Sequence, residues 1–137
     1  MNILRFLVPK SLVEYISVDA TIRQAYEKMR YHSYVAIPVL DAEGAYIGTI
    51  KKEDVYSHLF EKGTADLREA EKDSIKLILD KDYLKPLRHD SAISELIDGV
   101  REHNFIPVVD DRGCFIGIVL RRDVLDFLFN HYMKTAY

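Results

Sequence analysis

Residues 37–55 read IPVLDAEGAYIGTIKKEDV and residues 106–124 read IPVVDDRGCFIGIVLRRDV, and laying one on the other decides the fold. A shift of 69 residues places Pro38, Val39, Asp41, Gly44, Ile47, Gly48, Asp54, Val55, Leu59 and Phe60 on Pro107, Val108, Asp110, Gly113, Ile116, Gly117, Asp123, Val124, Leu128 and Phe129, ten identities in 23 positions. Such self-similarity marks one supersecondary unit used twice. A shift of 71 pairs an earlier block, Asp19, Ile22 and His32 with Asp90, Ile93 and His103, so the second copy is two residues shorter near Asn104. A loop accommodates that deletion.

Within the quoted stretches, apolar runs Ala36 to Leu40 and Tyr46 to Ile50 flank Asp-x-x-Gly, as do Phe105 to Val109 and Phe115 to Leu120. Asp at the first position of a turn and Gly at the fourth suit a type I turn, which predicts a β-hairpin in each copy. Upstream, Ile22, Ala25, Tyr26 and Met29 recur at helical spacing, as do Ile93, Leu96, Ile97 and Val100. Thr21 with Gln24 forms a capping-box pattern at the first helix, and Asp90 and Ser91 offer caps to the second. Downstream, Asp54 and Asp123 each open another apolar-faced helix. The unit therefore reads β-α-β-β-α, an α+β class, with residues 1–62 as the first copy and its amino-terminal lead-in, 63–73 as a charged linker and 74–137 as the second copy. Pro9 and Pro86 are expected to shape turns into the first strands.

The bulk composition narrows the function. With 48% hydrophobic residues in 137 the chain can bury one sizeable core. A net charge of −3 and scarce Pro and Gly argue against disorder and against a polyanion-binding surface, so neither nucleic acid nor membrane is an expected partner. The sole cysteine, Cys114, cannot pair within the chain and takes the place of Ala45 in the first copy, a small packing position with no base to activate it. The run Ile3 to Val8 is interrupted by Arg5 and is too short for a signal peptide or a span. A cytoplasmic setting is expected. Catalytic loops and acid/base pairs are absent from the sequence pattern, so no enzyme activity is expected.

The apolar-Pro-Val-x-Asp runs at Ile37 to Asp41 and Ile106 to Asp110, the Asp-x-x-Gly turns, and the spacings Gly48 to Asp54 and Gly117 to Asp123 resemble the CBS domain, twice over. That resemblance implies a pseudo-twofold pair of repeats, a Bateman module, with adenosine-containing ligands held in clefts between the copies and homodimerisation as a common assembly. It also implies that the Asp opening the last helix, here Asp54 or Asp123, bonds the ribose hydroxyls. The family's Ser or Thr three residues earlier, which helps to hold phosphate, is Lys51 in one copy and Leu120 in the other, a departure at both sites.

Elementary chemistry supports the same corner. A carboxylate accepts two hydroxyls, and a helix start offers N–H groups and a positive dipole end to phosphate. Lys51 and Lys52, or Arg121 and Arg122, can replace hydroxyl contacts with charge-assisted ones. Ile16, Ile37, Pro38 and Val39, or Leu87, Ile106, Pro107 and Val108, are expected to line an apolar adenine slot. Against this stands the plainer reading of Asp54 and Asp123 as helix caps and of the basic pairs as solvated surface charge. His32 and His103 read as structural, and no spacing suggests a metal. The expectation is a regulatory module that needs no cofactor, binds AMP, ADP, ATP or cyclic di-AMP as a regulatory ligand and signals to an effector protein. The alternative is a structural interaction module with degenerate nucleotide sites.

Overall fold

The computed structural model describes residues 1–61 and 67–136. In chain order the elements are β1 (Leu7–Pro9), β2 (Ile16–Ser17), α1 (Ile22–His32), β3 (Ala36–Leu40), β4 (Tyr46–Lys51), α2 (Lys52–Glu61), α3 (Leu67–Ala70), β5 (Leu87–Arg88), α4 (Ile93–Val100), β6 (Phe105–Val109), β7 (Phe115–Leu120) and α5 (Arg121–Ala136), with 3₁₀ turns at Ile3–Phe6, Lys10–Leu12 and Ile75–Leu77. The expected α+β class and the β-α-β-β-α order are both present: β2-α1-β3-β4-α2 and β5-α4-β6-β7-α5. Of the linker expected at 63–73, residues 63–66 lie outside the described residues, and α3 follows them.

The hairpins are near copies. The Asp41 carboxylate accepts the Glu43 and Ala45 amides at 2.9 Å each, and the Gly44 amide donates to the Asp41 carbonyl at 3.1 Å. The Asp110 carboxylate accepts the Arg112 and Cys114 amides at 2.9 Å each, with Gly113 donating to the Asp110 carbonyl at 3.1 Å. Gly44 and Gly113 close these turns at φ 86° and 81°, a region that a side chain disfavours. Each hairpin carries a register shift, at Val39/Leu40 and at Val108/Val109.

Two compact units form, Glu14–Tyr83 and Met1–Val13 with Leu84–Tyr137. The sequence periods group residues 1–62 and 74–137, whereas the packing assigns each lead-in to the other hairpin, for a physical reason. The second strand of a two-stranded hairpin has an open edge whose N–H and C=O groups need partners. In the second unit β1 fills that edge, giving the order β1-β7-β6-β5 with Val8 opposite Ile118. In the first, the order is β2-β3-β4 and Asp80 bridges to Thr49 on the open edge of β4, the amides donating reciprocally at 3.3 and 3.4 Å. The repeated glycine before this edge exists to admit the incoming backbone. A Cβ on Gly48 would lie 2.9 Å from the Asp80 oxygen, and one on Gly117 would collide with the Val8 oxygen and lie 3.1 Å from the Pro9 Cα.

The core of the first unit is built by Ile22, Ala25 and Met29 of α1 against Ile37, Val39 and Ile50 of the sheet, all nearly inaccessible. Each of the Ile, Val and Met side chains stabilises the fold by about 1.5–3 kcal/mol relative to exposure. Leu96 and Val100 play the same part on α4. The capping box at α1 is complete: the Gln24 amide donates to the Thr21 hydroxyl at 3.2 Å and the Thr21 amide to the Gln24 side chain at 2.9 Å. At α4 the expectation fails, because the N-cap is Ala92 and no side chain caps the helix. Asp90 instead pairs with Arg88 at 3.3 Å, and a backbone turn from Ser91 to Arg88 keeps both residues outside the first helical turn.

Candidate functional site

In each repeat the hairpin's last strand runs straight into the following helix, and one backbone bond fixes the corner. The Lys52 amide donates to the Val35 carbonyl at 2.8 Å, and the Arg121 amide to the Asn104 carbonyl at 2.9 Å, equivalent positions under the 69-residue shift. A cleft opens at each corner. The first, about 380 Å³, is lined by Val35, Ala36, Lys51, Lys52, Tyr56 and Tyr83, among others. The second, about 440 Å³, is lined by Asn104, Leu120, Arg121, Arg122, Leu125 and Asp126. A further cavity of about 580 Å³ lies on the other side of α2, where Asp54, Ser57 and His58 face residues 77–82.

The first corner is a polar network. The Lys51 ammonium stands 3.6 Å from the carboxylates of Asp54 and Asp80 and 3.7 Å from that of Glu53. It also lies 4.4 Å from the centroid of the Tyr83 ring, within cation–π range. Burial works against its charge, but Asp54, Asp80 and Glu53 outweigh that and hold its pKa above the ordinary lysine value. Beneath it, the Tyr46 hydroxyl and the fully buried Thr49 hydroxyl bond at 2.6 Å. Burial pushes the Tyr46 hydroxyl up to about 12.

The second corner keeps the backbone and loses the network. Leu120, Phe115 and Ile118 stand where the first has Lys51, Tyr46 and Thr49, and Val8 sits opposite Ile118 where Asp80 sits opposite Thr49. Arg121 is anchored, its Nε donating to the Val100 carbonyl at 2.6 Å. Arg122 is exposed, and among the described residues neither its side chain nor that of Asp123 has a hydrogen bond or ion pair.

The structure thus brings Lys51 and Asp54 together, and Arg121, Arg122 and Asp123 onto one helix start. Most residues of the expected adenine slot are buried within their own units, Leu87 being half-buried. Ile16, Ile37 and Val39 lie in the first unit's core at 6%, 0% and 0% exposure, and Ile106 and Val108 are buried at 2% and 0%. Parallel pairing sets Ile16 beside Val39 and Leu87 beside Val108, on the core side. Pro38 and Pro107, which alternate to the opposite face of their strands, are buried as well. Sequence reasoning missed Asp80 and Tyr83, which come from the lead-in, where the copies share no residues that would flag them.

Other singled-out residues stay outside the corners. His32 sits between the rings of Tyr31 and Tyr34, 3.7 Å from Glu14. Cys114 belongs to the turn held by Asp110. On the surface of the second unit, His89, Asp90 and Asp111 come within 4.8 Å of one another. Asp111 is already engaged there, by His89 at 2.9 Å and Arg88 at 2.7 Å, and these partners lower its pKa, the His89 hydrogen bond most of all. No helix among the described residues is long and apolar enough to cross a membrane.

Two β-α-β-β-α units, each ending in an acid-bearing helix beside a small cleft, define a tandem-repeat α+β protein with a duplicated strand-to-helix corner. The chain belongs to the CBS-domain family, whose model matches residues 8–61 and 78–130. Among solved structures it is similar to CbpB of Listeria monocytogenes in complex with c-di-AMP, at 22% identity and TM-score 0.84, covering 97% of this chain and 98% of that one. It is also similar to a hypothetical conserved protein of Geobacillus kaustophilus (24%, TM-score 0.86, 96% and 98% covered) and to CBSX2 in complex with AMP (17%, TM-score 0.75, 96% and 98%). A comparison with curated proteins gives no match.

Proposed function

We propose that the chain is a regulatory module without catalytic activity that binds an adenine nucleotide and passes its occupancy to an effector protein. The observation that carries this reading is the start of α5, where a cleft lined by Leu120, Arg121, Arg122, the exposed Leu125 and Asp126 opens, and where Asp123, on the same helix start though not in the cleft lining, carries a carboxylate with no internal partner among the described residues. An apolar surface for a base, a carboxylate for ribose hydroxyls and two guanidinium groups for phosphate are what such a ligand needs. The complexes of CbpB with c-di-AMP and CBSX2 with AMP support the ligand class. A ligand acts on an effector only through its different affinity for two shapes of the module.

Self-association belongs to the same reading. Leu128, Phe129 and Tyr132 form an exposed stripe along α5, and Tyr56 and Phe60 begin a matching one on α2. A second copy of the chain would cover these faces in an isologous pair. In sedimentation velocity the wild type is expected to run as a dimer and Leu128→Asp as a monomer, and a monomeric wild type would overturn the pairing. A cytoplasmic setting, proposed from the sole cysteine, completes the picture.

The test is a thermal-shift screen of AMP, ADP, ATP and cyclic di-AMP. A ligand at 100 times its Kd stabilises by about 2.7 kcal/mol, roughly 5–10 °C for a domain this size. The shift should disappear in Asp123→Ala; absence of any shift in the wild type would favour the structural interaction module instead.

A further inference from the structure

The two corners of this chain are not equivalent, and the difference lies in one side chain and what surrounds it. Lys51 occupies the strand position that Leu120 occupies in the second repeat. Its side chain is only 19% exposed, and its ammonium is drawn inward by Asp54, Asp80 and Glu53 at 3.6 to 3.7 Å and over the Tyr83 ring at 4.4 Å. Two of these groups, Asp80 and Tyr83, come from the lead-in that completes the first sheet. The equivalent lead-in position in the second unit, opposite Ile118, is Val8, which has no charge to offer.

Three carboxylates around one ammonium leave a locally negative corner in which the cation already has its partners. A phosphate arriving there would have to displace carboxylates from Lys51 and then lie beside them, and unscreened like charges at about 4 Å repel by roughly 1–4 kcal/mol per pair. The Asp54 carboxylate, moreover, faces an ammonium where a ribose would bring hydroxyls. At the second corner Leu120 brings no ammonium to be displaced, Asp123 and Arg122 have no internal partner among the described residues, and of the residues lining the cleft only Asp126 carries a carboxylate.

We infer that Lys51 is a built-in occupant that closes the first corner to phosphate-bearing ligands, so that one chain takes one nucleotide, at the Arg121–Arg122–Asp123 corner. The inference rests on the nucleotide-binding reading above and specifies which of its two sites is used.

Isothermal titration of the full chain with AMP tests it. The wild type is expected to bind one AMP per chain, and Lys51→Ser, which frees Asp54 and removes the occupant, to bind two. Lys51→Leu, the second repeat's own residue at this place, should do the same and guards against a folding defect in the serine variant. Two AMP per wild-type chain, or weaker binding in both Lys51 variants, would overturn the inference while leaving nucleotide binding intact. No binding by any of the three proteins would overturn the parent reading and this inference with it. A readout without nucleotide is the rate of lysine acetylation by acetic anhydride, followed by mass spectrometry. Lys51 should react several-fold more slowly than its exposed neighbour Lys52, and equal rates would show that the ammonium is not held.

Discussion

The corners at Tyr46–Asp54 and Phe115–Asp123 share a backbone down to the hydrogen bond that ties strand to helix, and they differ in nearly everything that backbone carries. In the first, Tyr46, Thr49, Lys51 and Asp80 form a connected polar set; in the second, Phe115, Ile118, Leu120 and Val8 form an apolar one. The turns, the register shifts and the positions of the glycines, by contrast, are the same in both, although Gly117 takes φ 155° and Gly48 does not share that positive φ. Duplication has therefore held fixed the residues that make the hairpin possible, and left the residues that face a ligand to diverge separately. A fold match reports on the first group and is silent on the second.

The sharpest way to probe this is at the shared glycines. Gly117→Ala drives a Cβ into the Val8 oxygen and to 2.9 Å from Leu7, whereas Gly48→Ala meets Asp80 and Leu79 at 2.9 and 3.0 Å. Urea denaturation is expected to show a loss of about 3 kcal/mol for Gly117→Ala and about 1–2 kcal/mol for Gly48→Ala. Equal losses would mean that neither the tighter approach nor the φ of 155° at Gly117 costs more than the contact at Gly48.

The polar set in the first corner has its own signature at high pH. Tyr46 ionises near pH 12 in the fold and near 10 when unfolded, so its contribution is fully present below pH 10 and is lost as pH rises from 10 to 12. The loss approaches about 2–3 kcal/mol at the upper end. Tyr46→Phe should cost about 1 kcal/mol at neutral pH, by stranding the buried Thr49 hydroxyl, and should flatten the alkaline decline. An unchanged pH profile would assign that decline to other groups.

The smallest contrast is between the helix starts. Thr21→Ala is expected to cost about 1 kcal/mol, and Ala92→Asp to add about 0.5–1 kcal/mol, since Ala92 holds the N-cap backbone conformation without a capping side chain. Thermal melts of the two variants check the pair, and no gain from Ala92→Asp would mean that the α4 start is already satisfied.

These contrasts also show what the sequence made legible. The hairpin turns could be read because Asp41 and Gly44 act within four residues of one another, and the α1 cap because Thr21 and Gln24 are three apart. The α4 start was misread, since Asp90 and Ser91 are equally good cap residues on paper and only the Arg88 turn shows that the chain has not yet entered the helix. The burial of the expected adenine-slot residues was hidden for a related reason. An apolar run such as Ile37 to Leu40 states that a strand is buried, but not which of its alternate residues face the core. Asp80 and Tyr83 were invisible because they reach the first corner from beyond the linker, in a segment with no counterpart residues in the other lead-in.

The most direct test of the account is an NMR titration of the isotopically labelled chain with AMP, following backbone amides at both helix starts. Saturable shifts are expected at residues 121–126 with little change at residues 52–57. Comparable shifts at both corners, or none at either, would contradict it.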